Sequence, residues 1–194
     1  MQNIFFEFSP PAAAFFSVLL FSGDAEKIAA VIFAVAVHEV SHLLVLALFG
    51  CHISAFSLGM NGLCIEYLGN DDFPEKFFSN IAGPLGGFAL YFTGELLSCC
   101  TLPEWFELSC RISLFLSFFN IMPIYPLDGG HAAGMILSEC LGYELSAKII
   151  FHFGMCYSVF LLLAGLVCTV KNSGVGVLAA GIWLLRANIL YDGL

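Results

Sequence analysis

The chain has 194 residues, of which 60% are hydrophobic and only 11% charged, and its mean hydropathy is +0.94. A soluble domain carries about 25% charged residues, so this chain has too few to coat a water-facing surface, and the soluble globular classes are excluded. Its net charge of −9 includes just six Lys and Arg, which leaves no basic patch for nucleic acid or anionic headgroups.

A membrane domain remains, and no linker, low-complexity tract or repeat divides it, so residues 1–194 are expected to form one integral-membrane domain. The N-terminal stretch is apolar but lacks a basic n-region, its early charge being Glu7; it is expected as a retained helix rather than a cleaved signal. That helix would begin around Pro10 and Pro11, where proline is tolerated. Spanning the hydrocarbon takes about 20 apolar residues in a helix, and six stretches are candidates: 7–22, 27–49, 76–98, 107–122, 147–170 and 174–193. Between the second and third, HISAFSLGMNGLCIEYLG (52–69) is too short in its apolar runs to span. Asn61-Gly62 at its centre is a hairpin-turn signal. It predicts a β-hairpin against or within the bilayer, although an irregular interfacial loop fits the same residues. The fold class expected is therefore an all-α polytopic membrane protein. It has about six transmembrane helices, one broken near the active site, and a short membrane-associated β-hairpin.

Charge does not orient this arrangement. Lys76, Lys148 and Arg186 fall nearer one side, and Lys27, Arg111 and Lys171 nearer the other, so the positive-inside rule is silent. The eight cysteines are scattered, with no C-x-x-C, and read as small packing residues rather than a disulfide framework.

The chemistry begins in the second stretch, AVAVHEVSHLLVLALF (34–49), which contains H-E-x-x-H. Four residues apart on a helix, His38 and His42 project from one face. Two imidazoles so placed can bind one Zn²⁺, and Glu39 beside them can take a proton from water. A helix over 27–49 is about 34 Å long, and His38 stands at its midpoint, where ionisable groups are functional by default. A catalytic zinc needs a third protein ligand and an open position. The best candidate lies in NIMPIYPLDGG (120–130): Asn120 ends an apolar helix, Pro123 and Pro126 forbid its continuation, and Asp128-Gly129-Gly130 reads as a turn. Asp128 at bilayer depth would cost about 3 kcal/mol unpaired, which a shared Zn²⁺ would offset. His131, three residues on, is the reserve candidate.

Together the two motifs resemble the site-2 protease family of intramembrane zinc metalloproteases, which pairs H-E-x-x-H on one transmembrane helix with N-x-x-P-x-x-P-L-D-G on another. The resemblance runs from about residue 30 to 140. It implies an endopeptidase that cuts within or beside transmembrane segments, with His38, His42 and Asp128 at the ligand positions and Glu39 at the catalytic position. Asn120 and Pro126 match loop residues that help place substrate. NIAGPLGG (80–87) is similar to a third family element, G-P-x-x-N, but Gly87 stands where Asn is usual. Gly83, Gly86 and Gly87 read physically as close helix packing. The layout looks most like the sporulation-type subgroup, which implies a membrane-associated substrate such as a pro-sigma or anti-sigma factor. It also implies a multi-pass location in a bacterial cell membrane.

Two rival readings use the same residues. A metal-ion transporter would need several coordination sites along a path, whereas here the polar residues gather at one; Glu95, Arg111 and His152 lie outside it. A catalytically silent relative would have no need of Glu39 beside both histidines.

Overall fold

A computed structural model describes residues 6–8, 24–59, 62–68, 72–99, 101–170 and 175–191. In chain order they form β1 (Phe6–Phe8), α1 (Ala25–Leu48), β2 (His52–Gly59), β3 (Gly62–Leu68), α2 (Phe73–Leu96), α3 (Glu104–Asn120), α4 (Asp128–Leu141), α5 (Tyr143–Val170) and α6 (Val175–Tyr191). The chain divides into two compact units, Met1–Asn120 and Ile121–Leu194.

In the first unit, local chemistry fixes both ends of α1. The Asp24 side chain accepts from the Lys27 amide at 3.4 Å and pairs with its ammonium at 2.8 Å, so an acid caps the positive end of the helix dipole. At the other end Gly50 takes φ 74°. The Gly50 amide bonds Ala47 O and the Cys51 amide bonds Leu46 O, both at 3.0 Å, which is the glycine-terminated Schellman arrangement. The chain turns there into β2, which pairs antiparallel with β3 and parallel with β1 in the order β1-β2-β3. Asn61 lies outside the described residues.

Helices α1, α2 and α3 pack on one another, and small residues set the distances. The Ser109, Ser113 and Ser117 side chains line the buried face of α3. A Cβ on Gly87 of α2 would strike Ser117 Oγ, and one on Gly94 would come within 2.5 Å of Cys110 Sγ. Ser109 and Ser117 return their hydroxyls to carbonyls one turn back, at 2.7 and 2.8 Å. Serines can therefore line an apolar bundle without leaving those donors bare.

In the second unit, α5 and α6 pack through Gly154, Gly165 and Gly181. The Asn188 amide, 1% exposed, donates to Phe151 O across that seam at 3.0 Å. Helix α4 differs from the sequence expectation, since Asp128-Gly129-Gly130 is its first turn rather than a separate loop turn. The two glycines are needed for what lies over them. A Cβ on Gly129 would strike the Ile121 carbonyl, and one on Gly130 the Ile124 carbonyl. Residues 121–127, which include a cis Tyr125–Pro126 bond, thus double back over the start of α4.

Of the six apolar stretches, the first lies outside the described residues apart from its opening residues, and Glu7 and Phe8 there belong to β1. Each of the other five contains a helix. Among the described residues, two helices, Ala25–Leu48 and Tyr143–Thr169, are long and apolar enough to cross a membrane. Only 17% and 22% of their most apolar windows are buried. The core helix of a soluble protein would bury most of that surface, whereas these present Leu44, Leu48, Phe160 and Leu163 outward, as lipid contact allows.

Candidate metal centre

The first unit brings His38 and His42 together. Both side chains are buried, at 5% and 9% exposure, and their Nε2 atoms stand 3.3 Å apart. The His42 ring is fixed from behind, because its Nδ1 lies 2.7 Å from the Ser79 carbonyl of α2. A carbonyl can only accept, so Nδ1 carries the proton and Nε2 presents a lone pair. Holding the far nitrogen of a ligating histidine on a backbone carbonyl is the usual support for metal-binding imidazoles.

Two tests of fit to a metal follow from this geometry. Nitrogens each 2.0–2.1 Å from one tetrahedral zinc would stand about 3.3–3.4 Å apart, and the separation here is 3.3 Å. The second concerns Gly83. A Cβ built there would lie 2.7 Å from His38 Nε2 and collide with His42 Nε2. The space beside both Nε2 atoms is therefore kept clear by the one residue without a side chain. The donor set fits zinc.

Around the pair, successive contacts run down α1 as they run up α2. Ser79 meets His42, Gly83 meets both histidines, and Gly86 meets Ser41 and Val37. Ser41 returns its hydroxyl to Val37 O at 2.7 Å. Glu39 follows His38 directly and is half-buried on the flank of the ligand face. Asn120 closes α3, its amide donating to Leu116 O at 3.0 Å.

In the second unit, Asp128 is the first residue of α4 and half-buried, a position where the helix dipole favours its negative form. Pro126 follows the cis bond two residues earlier. His131 lies one turn into α4 with its ring 5.1 Å from that of Tyr125, edge to face. Sequence reasoning read Gly83 as packing only and did not find Ser79. The glycine had a signal in the spacing of its motif, but Ser79 acts through its backbone, which every residue has.

The chain is similar to known peptidases. Residues 73–164 match the model of peptidase family M50. This match contains Gly83, Asn120 and Asp128 and begins after the H-E-x-x-H helix. Stage IV sporulation protein FB of Bacillus subtilis is 28% identical over 146 residues, covering 73% of this chain and 51% of that protein. A zinc metalloprotease of Methanocaldococcus jannaschii is also 28% identical over 146 residues, covering 69% of this chain and 40% of that protein. The matched region thus spans about half the length of these curated relatives, or less. The solved site-2 protease from Methanocaldococcus jannaschii superposes with a TM-score of 0.68 at 22% identity, covering 92% of this chain and 84% of that one. It shares the fold. With a histidine pair spaced for zinc and a sequence match running through the Asn120–Asp128 motif, the chain is similar to the peptidase M50, or site-2 protease, family.

Proposed function

We propose that this chain is an intramembrane zinc endopeptidase that hydrolyses peptide bonds within or beside transmembrane segments of membrane-associated proteins. The observation that carries the reading is the buried pair of Nε2 atoms 3.3 Å apart on an apolar helix, with Glu39 beside it. His38, His42 and Asp128 would hold one Zn²⁺ per chain. The ion, when bound, supplies Lewis acidity toward the scissile carbonyl and the attacking water. Glu39, one residue round the helix from the ligand face, takes the proton from that water and returns it to the departing amine. Asn120 and Pro126 position the substrate backbone.

A peptide bond in a helix is shielded by its own hydrogen bonds, so cleavage requires an extended segment with new backbone partners. The β2–β3 hairpin, lying in or against the membrane, supplies them by strand addition. Strand β1 already pairs with β2, so the outer edge of β3 is the side that receives substrate. In this reading residues 1–194 form one multi-pass domain of about six spans in a bacterial cell membrane. Its substrate is a pro-sigma or anti-sigma factor held at that membrane.

The test is Glu39→Gln, which keeps the size of the side chain but cannot accept a proton at neutral pH. Zinc content should stay at the wild-type level, while cleavage of a co-expressed single-span substrate falls by roughly 10² to 10⁴. Full cleavage by the variant would overturn the assignment.

A further inference from the structure

Along the buried face of α2, at one-turn intervals, lie Glu75, Ser79 and Gly83. Two of them belong to the metal-binding pair: Gly83 leaves room at the nitrogens, and Ser79 holds the His42 ring. Glu75 has no part in that geometry and yet is buried. It is 4% exposed, and its Oε1 is enclosed with no hydrogen-bond partner. Third in its helix, a glutamate ordinarily turns out to water or back to the N-cap. This one turns inward, although an uncompensated buried carboxylate is costly by several kcal/mol.

Its neighbour explains what lies beyond it. The Cys51 thiol, just past the end of α1, is pushed up first by burial and then by hydrogen bonding to Glu75. Cys51 is half-exposed, and Asp72, Phe73 and Pro74, which precede Glu75, are exposed. The thiol therefore meets the carboxylate where α1 ends and α2 begins, next to exposed backbone. From Glu75 to Gly83 is eight residues, about 12 Å of helix, with Ser79 midway. Other sides of the histidine helix are closed to water differently: Val35, Val40 and Leu44 face outward there, and they are apolar.

We propose that Glu75 is the inner residue of the aqueous inlet to the His38–His42 pair, with Cys51 as its outer cover. The inference rests on the zinc-peptidase reading and adds to it the path by which water and the metal ion arrive. Each hydrolysed bond consumes one water, which must cross an apolar bundle. A carboxylate oxygen with no protein donor offers that water a hydrogen bond where an apolar side chain would exclude it. Its negative charge also draws a divalent cation along the same seam.

The experiment follows zinc leaving rather than substrate turning over. Purified full-length protein, loaded with one zinc, is mixed with dipicolinate, a polar chelator that does not cross lipid, and release is timed with a chromophoric indicator. Glu75→Met, of similar length but apolar, should hold the same zinc at equilibrium and lose it at least about tenfold more slowly. In a cleavage assay it should lower kcat and leave KM unchanged. Glu75→Gln should release zinc at the wild-type rate or faster, because the dianionic chelator no longer meets a like charge. Equal release rates for Glu75→Met and wild type would overturn the proposal whatever turnover does, since a purely structural carboxylate predicts that result.

A second measurement covers a Glu75→Met protein that fails to fold. Alkylation by a bulky polar maleimide should slow zinc release from wild type and not from Cys51→Ser; an equal effect on both overturns the proposal. A chain that takes up no zinc overturns the peptidase reading, and this one with it.

Discussion

Replacing Gly83 by alanine tests the metal centre at its tightest point. The added methyl would lie 2.7 Å from Nε2 of His38 and closer still to Nε2 of His42. Ordinary contact distances are about 3.5 Å or more, so the rings must turn or α2 must withdraw by about 1 Å. Withdrawal stretches the 2.7 Å contact between His42 Nδ1 and Ser79 O beyond hydrogen-bond range and frees the ring. Overpacking of this kind costs about 1–3 kcal/mol, and losing the partner behind a ligating histidine lowers metal affinity about 10- to 100-fold. Because the methyl also takes the space beside both Nε2 atoms, zinc affinity should fall by about 100-fold, equivalent to about 2.7 kcal/mol.

The assay is competition for zinc against a chromophoric chelator, with thermal unfolding in parallel. Gly94→Ala is the control. Its methyl would press on Cys110 Sγ at 2.5 Å, a similar insult about three turns further along α2. It should lower stability and leave zinc affinity alone. Wild-type zinc affinity in Gly83→Ala would refute the reasoning, because the nitrogens that face Gly83 could not then be the ones that bind metal.

Three further outcomes are expected. Asp128→Ala should lower zinc affinity sharply while His131→Ala leaves it near wild type; metal analysis of the two proteins decides which residue completes the site, and the reverse pattern would promote His131. Proline placed singly along 63–67 should lower cleavage and keep zinc content, because proline removes the amide that a substrate strand would bond; normal cleavage across the scan would sink strand addition. Asn188→Leu removes the amide that reaches Phe151 O and forces a larger apolar side chain against Gly154. It should destabilise the α5–α6 pair by about 1–3 kcal/mol without changing zinc affinity, as read from unfolding and metal competition together.

The features written locally in the chain were legible from it. H-E-x-x-H fixes a histidine pair on one helix face because four residues nearly complete one helical turn, and neither partner has to be found elsewhere. The same holds for the apolar stretches that became α1, α2, α3, α5 and α6, whose length and composition need no tertiary partner to be read. The cysteines were less legible: among the six whose side chains are described, Cys110 is buried, while Cys99, Cys140 and Cys156 are exposed.

Where the outcome depended on what approaches from far along the chain, the sequence was silent or pointed elsewhere. Asp128-Gly129-Gly130 has the composition of a turn, and glycine disfavours helix. It opens α4 because residues 121–127 fold back onto it and leave no room for side chains at the two glycines. Nothing in the sequence sets Glu75 apart from other helix-start acids; its burial is decided by tertiary packing. Nothing in the alternation of α1 says which nitrogen of His42 bears the proton or how far apart the two rings stand. Those are set by the Ser79 carbonyl and the bare Cα of Gly83, 37 and 41 residues beyond His42. Spacing along one helix can aim two ligands, but only contact with a second helix can hold them still.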